Sequence, residues 1–415
     1  MKRSRDRILT THAGSLPRPA ELPALIQAKA AGDKFDQAEL DRMLKASVAD
    51  VVKHQVAVGL DSVNDGELSK TNFTNYVRER LSGFEQKSFP VGQGPKPMNV
   101  SARDMRDFPE YFEGRTWFGT QAPIAQAGGV GNVQAGVLPG TGVMSNAFAG
   151  PSMTQVMCTS PLKYVGHAAL QLDIDNFRAA LQGVKVEEPF LPANTPGTIE
   201  HWLRNEYYKS DEEFVYAIAE AMREEYEGIV NAGFLLQIDD PDLPDGWQMF
   251  PDMSVADYQK YAMVRVQALN HALRNIPSES VRLHVCWGSF HGPHRNDIPL
   301  KDIIGVILAV KADEVSIEAS NAMHEHEWNV FETTKLPAGK TIIPGVIGHA
   351  SDFIEHPELV AQRLERYARL VGPENVMAGT DCGLGGRVGH PSIAWAKFAA
   401  MAEGARIATK RLMGK

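Results

Sequence analysis

Cysteine is scarce: only three occur in the 415 residues, at 158, 286 and 382. Three thiols are too few for a disulfide framework, which leaves metal binding or plain burial as their uses. Long apolar runs are missing as well. Nothing in the sequence approaches the about 20 apolar residues of a membrane-spanning helix. The basic stretch from Met1 to Arg7 has no apolar segment behind it, unlike a secretory signal. Positive charge is in deficit too, with 42 Lys and Arg against 51 Asp and Glu, a net charge of −9. That balance argues against nucleic acid or an anionic membrane as a partner. No internal repeat or low-complexity tract is visible. A soluble, cytoplasmic protein is expected.

What is present is ordinary globular composition, 43% hydrophobic and 22% charged, with ample material for a large core. Length alone suggests two or three domains, yet an α/β barrel with insertions reaches this size as one. Short β-rich runs ending in turns centre near residues 10, 62, 190, 236, 284, 316, 344 and 378. Helical patterns separate most of them. Helices are predicted over 38–58, stopped by Gly59; over 211–231, capped by Asp211; over 256–275; from Pro299 to about 311; over 357–370; and over 392–413. Eight strands alternating with helices predict a (β/α)₈ TIM barrel spanning 1–415 as a single catalytic domain, with a doubly wound open sheet as the alternative. Residues 85–158 differ in texture, being rich in Gly, Pro, Gln and Asn, and are expected to form an inserted region of hairpins and loops covering one end. Gly129, Gly131 and Gly136 within it lack the strand-to-helix context of a dinucleotide fingerprint and read as turns.

Chemistry in such barrels sits at the C-terminal ends of the strands. The fifth predicted strand carries His284 and Cys286 there, two residues apart and therefore on one face. The sixth carries Glu318, and Cys382 follows the eighth. Such a set suits a tetrahedral zinc ion. The plainer alternative, a hydrogen-bonded core histidine and buried thiols, stays open on spacing alone. Cys158 has no such company and reads as structural.

Taken in order, these segments resemble the catalytic domain of cobalamin-independent methionine synthase. The matching residues are Thr10 to Ser15, Asn64 to Glu67, Leu236 to Pro241, His284 with Cys286, Ser316 to Ser320, Ile343 to Val346, and Thr380 to Leu384, so that the likeness covers nearly the whole chain. The resemblance implies the barrel and a zinc ion held by His284, Cys286, Glu318 and Cys382. Two thiolates and a carboxylate leave that shell net negative. Such a zinc activates water poorly, but it binds a substrate thiol as the nucleophilic thiolate. The implied activity is methyl transfer to a thiol, homocysteine first, as in a 5-methyltetrahydropteroyl(tri)glutamate–homocysteine S-methyltransferase of methionine biosynthesis. The resemblance also assigns Glu67 and Asp239 to the ammonium of the amino-acid thiol and Gly14 and Ser15 to its carboxylate; the alternative is that the two acids are exposed strand-end residues with local caps.

Departures from the family pattern bear on substrate. The segment from Trp287 to Asp297 is longer than in methionine synthases, and with His324, His326 and Trp328 it is similar to a single-domain subgroup that includes epoxyalkane:coenzyme M transferases. Alkyl transfer from an epoxide or another electrophile to coenzyme M or another small thiol is therefore the alternative function. A proton-handling histidine is implied after the seventh strand; His349 stands one place off the match, which Ala350 occupies. His291 and His294 are expected to contact substrate rather than to build a second metal site. Arg18 and Arg295 are candidates to face an anionic group. The extra N-terminal barrel of full-length enzymes is not expected, and the donor stays open between methyltetrahydrofolate and another methyl or alkyl compound. Uroporphyrinogen decarboxylase, related in fold, needs no zinc, and the ligand set argues against it. A non-catalytic zinc-binding or thiol-sensing protein is the reading from another class. A homo-oligomer is compatible with all of these.

Overall fold

The computed structural model describes residues 1–90, 99–112, 152–289 and 292–415. The strands run in chain order as β1 (Leu9–Thr10), β2 (Ser62–Val63), β3 (Leu81–Pro90), β4 (Ser152–Tyr164), β5 (Glu188–Asn194), β6 (Arg204–Asn205), β7 (Leu235–Asp239), β8 (Val281–Val285), β9 (Glu314–Ile317), β10 (Thr341–Ile347) and β11 (Met377–Thr380). Eight of them form one parallel sheet in the order β1-β11-β10-β9-β8-β7-β5-β2. These eight contain all the positions at which the sequence predicts strands. In an open doubly wound sheet β1 and β2 would be remote edges. Here they meet through Asp61, whose N–H donates to the Thr10 carbonyl at 3.1 Å and whose carboxylate accepts the Thr10 N–H at 2.9 Å. The sheet is thus nearly closed into a barrel, which rules out the open-sheet alternative.

Helix ends follow capping chemistry. The Gln37–Ala57 helix starts at Asp36, whose side chain accepts the Glu39 N–H. The Asp211–Asn231 helix is capped by Ser210 and not by Asp211, because the Ser210 hydroxyl accepts the Glu213 N–H while Asp211 lies in the first turn. Pro299 sits just before the Leu300–Leu308 helix, and Pro357 and Pro391 open the last two long helices. A helix the sequence pattern did not reveal, His167–Ala180, packs beside the Gln37–Ala57 helix. Among the described residues no helix is long and apolar enough to cross a membrane.

β3 and β4 pair antiparallel from Leu81↔Tyr164 to Pro90↔Ser152, and β6 joins β4 in parallel. Gly129, Gly131 and Gly136 lie outside the described residues. The base of the β3–β4 hairpin is pinned by buried Arg80, which donates to Asp173 at 2.5 Å. Cys158 on β4 is fully buried, its Sγ 3.5 Å from the Ser160 carbonyl, and burial pushes the thiol up to about 11. That is the environment of an inert thiol.

Candidate active site

Strand alternation builds the barrel interior in layers. Along β8, Leu283 and Val285 are fully buried, while Arg282 and His284 share the opposite face. Register pairs Arg282 with Glu314 and His284 with Ser316 on β9, and Asp239 of β7 with His284 on the other side. The lower layer is an ion pair with no solvent exposure, Arg282 Nε to Glu314 Oε2 at 2.6 Å. In the next, His284 Nδ1 lies 3.1 Å from the Ser316 hydroxyl, which fixes the ring and directs Nε2 toward the strand ends. One step further stand Cys286 and Glu318, with Cys382 arriving from beyond β11.

The ligand atoms of His284, Cys286 and Cys382 all lie within 4.8 Å of one another. Glu318 is not part of that trio. One of its oxygens accepts from Asn321 Nδ2 at 3.0 Å, and the other is buried without a hydrogen-bond partner, as is Nε2 of His284. Two orphaned acceptors beside two thiols are what a thiophilic cation would satisfy, so the donor set fits zinc. Electrostatics divides the thiols. The hydrogen bond between them, together with burial, holds Cys286 well above the usual thiol range. The same contact carries Cys382 well below it against the effect of burial, helped next by the approach of the His284 ring and then by the charge of His349. Glu318 is raised by its burial and then by Asp381.

Asp381 was not singled out by the sequence, yet it fastens two ligand-bearing loops together. Its Oδ1 accepts the N–H groups of Ala319 and Ser320 at 2.8 and 3.0 Å, next to Glu318, while the residue itself precedes Cys382. The approach needs a glycine across from it: a Cβ on Gly345 of β10 would lie 2.2 Å from the Asp381 carboxylate. His349 is buried and Ala350 exposed, so the inward residue after β10 is the histidine.

The acid pair lies on the same rim. Asp239 is buried, which pushes it up to about 7, with the Glu67 carboxylate as the next contribution. Gln237 Nε2 bridges Asp239 Oδ1 at 2.9 Å and the Ala13 carbonyl at 2.6 Å. Gly14, at φ +132°, passes so close that a Cβ there would sit 2.5 Å from Glu67 Oε1. Ser15 faces the turn after Cys382, its carbonyl accepting the Gly385 N–H at 2.9 Å. Lys70 is a neighbour the sequence did not announce: its Nζ lies 3.5 Å from Glu67 and donates to the Pro192 carbonyl at 2.6 Å. Arg18 does not point at open space. Its guanidinium donates to the carbonyls of Glu67 and Lys70 at 2.9 and 2.5 Å, so it braces the turn that carries Glu67.

Comparison with known proteins bears directly on this arrangement. The family model described as the catalytic domain of cobalamin-independent synthase matches residues 8–90 and 166–406. The chain belongs to the cobalamin-independent methionine synthase family. Among relatives in that family, a methionine synthase of Saccharolobus islandicus is 25% identical over 413 residues, 98% of this chain and 96% of that protein. One from Sulfurisphaera tokodaii is 24% identical over 407 residues, 98% of this chain and 94% of that one. Among solved structures, a B12-independent methionine synthase from Shewanella sp. W3-18-1 in complex with selenomethionine superposes with a TM-score of 0.67 at 19% identity, covering 99% of this chain and all of that one. A second, from Listeria monocytogenes, gives 0.62 at 14% identity. Both share the barrel fold.

The loop after β8, from Trp287 to Asp297, has its own scaffold. Trp287 is fully buried and donates through Nε1 to the Ile298 carbonyl at 2.7 Å, tying the two ends of the loop together. Asp297 accepts from Gln248 at 3.1 Å and lies 2.9 Å from His294 Nδ1 and 3.2 Å from His324 Nε2. His324 also meets Glu327 at 2.7 Å and stacks on Trp287, ring centres 4.1 Å apart. His294 and His324 are thus bonded to acids as part of the loop's frame. Arg295 is exposed, and His291 lies outside the described residues. A further buried acid, Asp245, is held well above the usual carboxylate range by burial and then by Asp242 and Asp297; one of its oxygens has no hydrogen-bond partner.

Proposed function

We propose that this chain transfers a methyl group to the sulfur of homocysteine, giving methionine, with a zinc ion held by His284, Cys286, Glu318 and Cys382. The observation that carries the reading is the adjacency of the metal-fitting trio to the acid pair: Asp239 is the register partner of His284, with Glu67 beside it. Zinc in that shell would supply chemistry no side chain here offers at neutral pH, presentation of the acceptor's sulfur as a thiolate. Glu67 and Asp239 hold the acceptor's ammonium, and Gly14 and Ser15 receive its carboxylate. Methyl transfer forms the S–C bond while the donor's bond to that carbon breaks, and the electron pair leaves with the donor. His349, buried near Cys382, then handles the proton the leaving atom takes up. Methyltetrahydrofolate is the donor we favour, in a cytoplasmic setting where the thiols stay reduced. We read 1–415 as one barrel domain with 85–158 inserted, and the break in the family match between 90 and 166 supports that division.

A second reading, alkyl transfer from an epoxide to coenzyme M or a similar thiol, is favoured by one feature, the separately scaffolded loop from Trp287 to Asp297. Metal analysis with thiol titration of the zinc-loaded protein distinguishes them. Homocysteine should bind at lower concentration than coenzyme M or glutathione; tight binding of another thiol with no response to homocysteine overturns the methionine reading. Cys286→Ser and Cys382→Ser should each lose zinc and methyl transfer together. Full activity in a zinc-free Cys286→Ser protein would sink the mechanism.

A further inference from the structure

The two cysteines of the site are not equally sheltered. Cys286 is 2% exposed and lies next to buried Trp287, whereas Cys382 is only half-buried. The difference matters for a reaction that brings an electrophilic carbon to a cluster of sulfurs. Attack by a protein sulfur would form the same kind of S–C bond, break the same donor bond, and leave a thioether where a charged ligand is needed. Cys382 is the sulfur open to that side reaction.

One hydroxyl stands against it. Ser289 Oγ is 3.4 Å from Cys382 Sγ. A metal-bound cysteine sulfur carries no proton, so the serine must be the donor. The serine is also held in place. Its carbonyl accepts from Arg387 at 2.6 Å, on the loop that follows Cys382, and the loop to which the serine belongs is closed by the bond from Trp287 to Ile298. A left-handed turn at Gly288, φ +88°, brings the chain round to present it.

We propose that Ser289 is a positioning residue whose hydrogen bond to the Cys382 sulfur makes that sulfur the poorer nucleophile, so that alkylation falls on the substrate's thiolate and spares the protein's own ligand. The physical basis is that a thiolate's nucleophilicity falls as its charge is drawn off, and that the lone pair engaged by the hydroxyl is not available for attack. The inference rests on the zinc reading above and adds a selectivity among sulfurs that the ligand set alone does not provide.

The test uses the zinc-loaded full chain as wild type, Ser289→Ala and Ser289→Thr. Each is treated with iodoacetamide, which puts a carbamidomethyl group on sulfur and releases iodide. Peptide mapping reports Cys382 separately from Cys286 and Cys158, and metal analysis reports zinc at the start. Ser289→Ala should alkylate at Cys382 roughly three- to tenfold faster than wild type at equal zinc content, about the effect of one ordinary hydrogen bond. Ser289→Thr, which keeps the hydroxyl, should return to the wild-type rate. Equal rates in all three proteins overturn the proposal, as does a threonine variant that behaves like alanine. Loss of zinc from Ser289→Ala alone also overturns it, since the hydroxyl would then be holding the shell together. A wild type that takes up no zinc defeats the zinc reading itself and this inference with it, whereas equal rates on a zinc-loaded site defeat the inference only.

Discussion

Glu67 adopts φ +56°, a left-handed backbone that costs a residue with a Cβ about 1 kcal/mol. The turn holds it there by two bonds: the Asp65 carboxylate accepts the Glu67 N–H at 2.9 Å, and Arg18 clamps the Glu67 carbonyl. The result is a carboxylate aimed past Gly14 at Asp239, two acids brought together out of water. Such a pair repels itself unless a cation intervenes, and Lys70 neutralises only part of it. An incoming ammonium would complete the balance. Asp239→Asn keeps the shape and removes one charge. It should raise the KM for homocysteine about 10- to 100-fold, as expected for one charge-assisted contact, with zinc content unchanged. Steady-state kinetics beside metal analysis checks this; an unchanged KM would remove Asp239 from acceptor binding.

Among the elements, the loop after β8 is framed by buried charges, and its stability hangs on them. His324 faces Asp297 and Glu327, with His294 on the far side of Asp297 and Glu318 within electrostatic reach. Burial works against its protonation, but the bonds to Asp297 and Glu327 win and carry it up to about 9 from an ordinary 6.5. Asp297 is correspondingly lowered, although its own burial opposes this; that is the same ion pair seen from its other partner. A group raised on folding stabilises fully below its unfolded pKa and loses that contribution as the pH climbs through the folded one. The latch should therefore contribute on the order of 3 kcal/mol near pH 6 and little above about pH 9. Urea unfolding of wild type and His324→Gln at the two ends of that range measures it. The gap between the proteins should close at high pH, and a constant gap would show that the imidazolium charge is not what holds the loop.

For the whole molecule, the floor under the site is the buried ion pair inside the barrel. Arg282 bonds Glu314 and also donates to Thr11 Oγ1 at 2.8 Å, while its guanidinium lies 4.8 Å over the Phe190 ring, so one side chain links β8, β9, β5 and the residue after β1. Burial pushes Glu314 up and Arg282 opposes that push. Replacing such a pair by apolar residues is often tolerated, but removing one partner strands the other. Arg282→Met should lower unfolding stability by about 3–5 kcal/mol, and a double variant Arg282→Met, Glu314→Leu should recover much of the loss. Denaturant midpoints of the three proteins decide; a single variant as stable as wild type would mean that Glu314 is content as a neutral acid.

Much of this molecule is legible in its sequence because the relevant signals are local. Eight β-rich runs ending in turns sufficed for the barrel, and a spacing of two put His284 and Cys286 on one face whatever the rest of the chain did. The rim rule of such barrels then nominated Glu318 and Cys382. Periodicity reports where a side chain points from its own strand, and nothing about which distant loop comes to meet it. Ser289 and Cys382 are 93 residues apart in sequence, and His324 and Asp297 are 27 apart. The cation beside Glu67, the fastening of the Glu318 turn by Asp381, and the bonding of Arg18 to the carbonyls of Glu67 and Lys70 are likewise through-space outcomes. They depend on how closed strands and packed loops share a small volume, and only the folded barrel decides that.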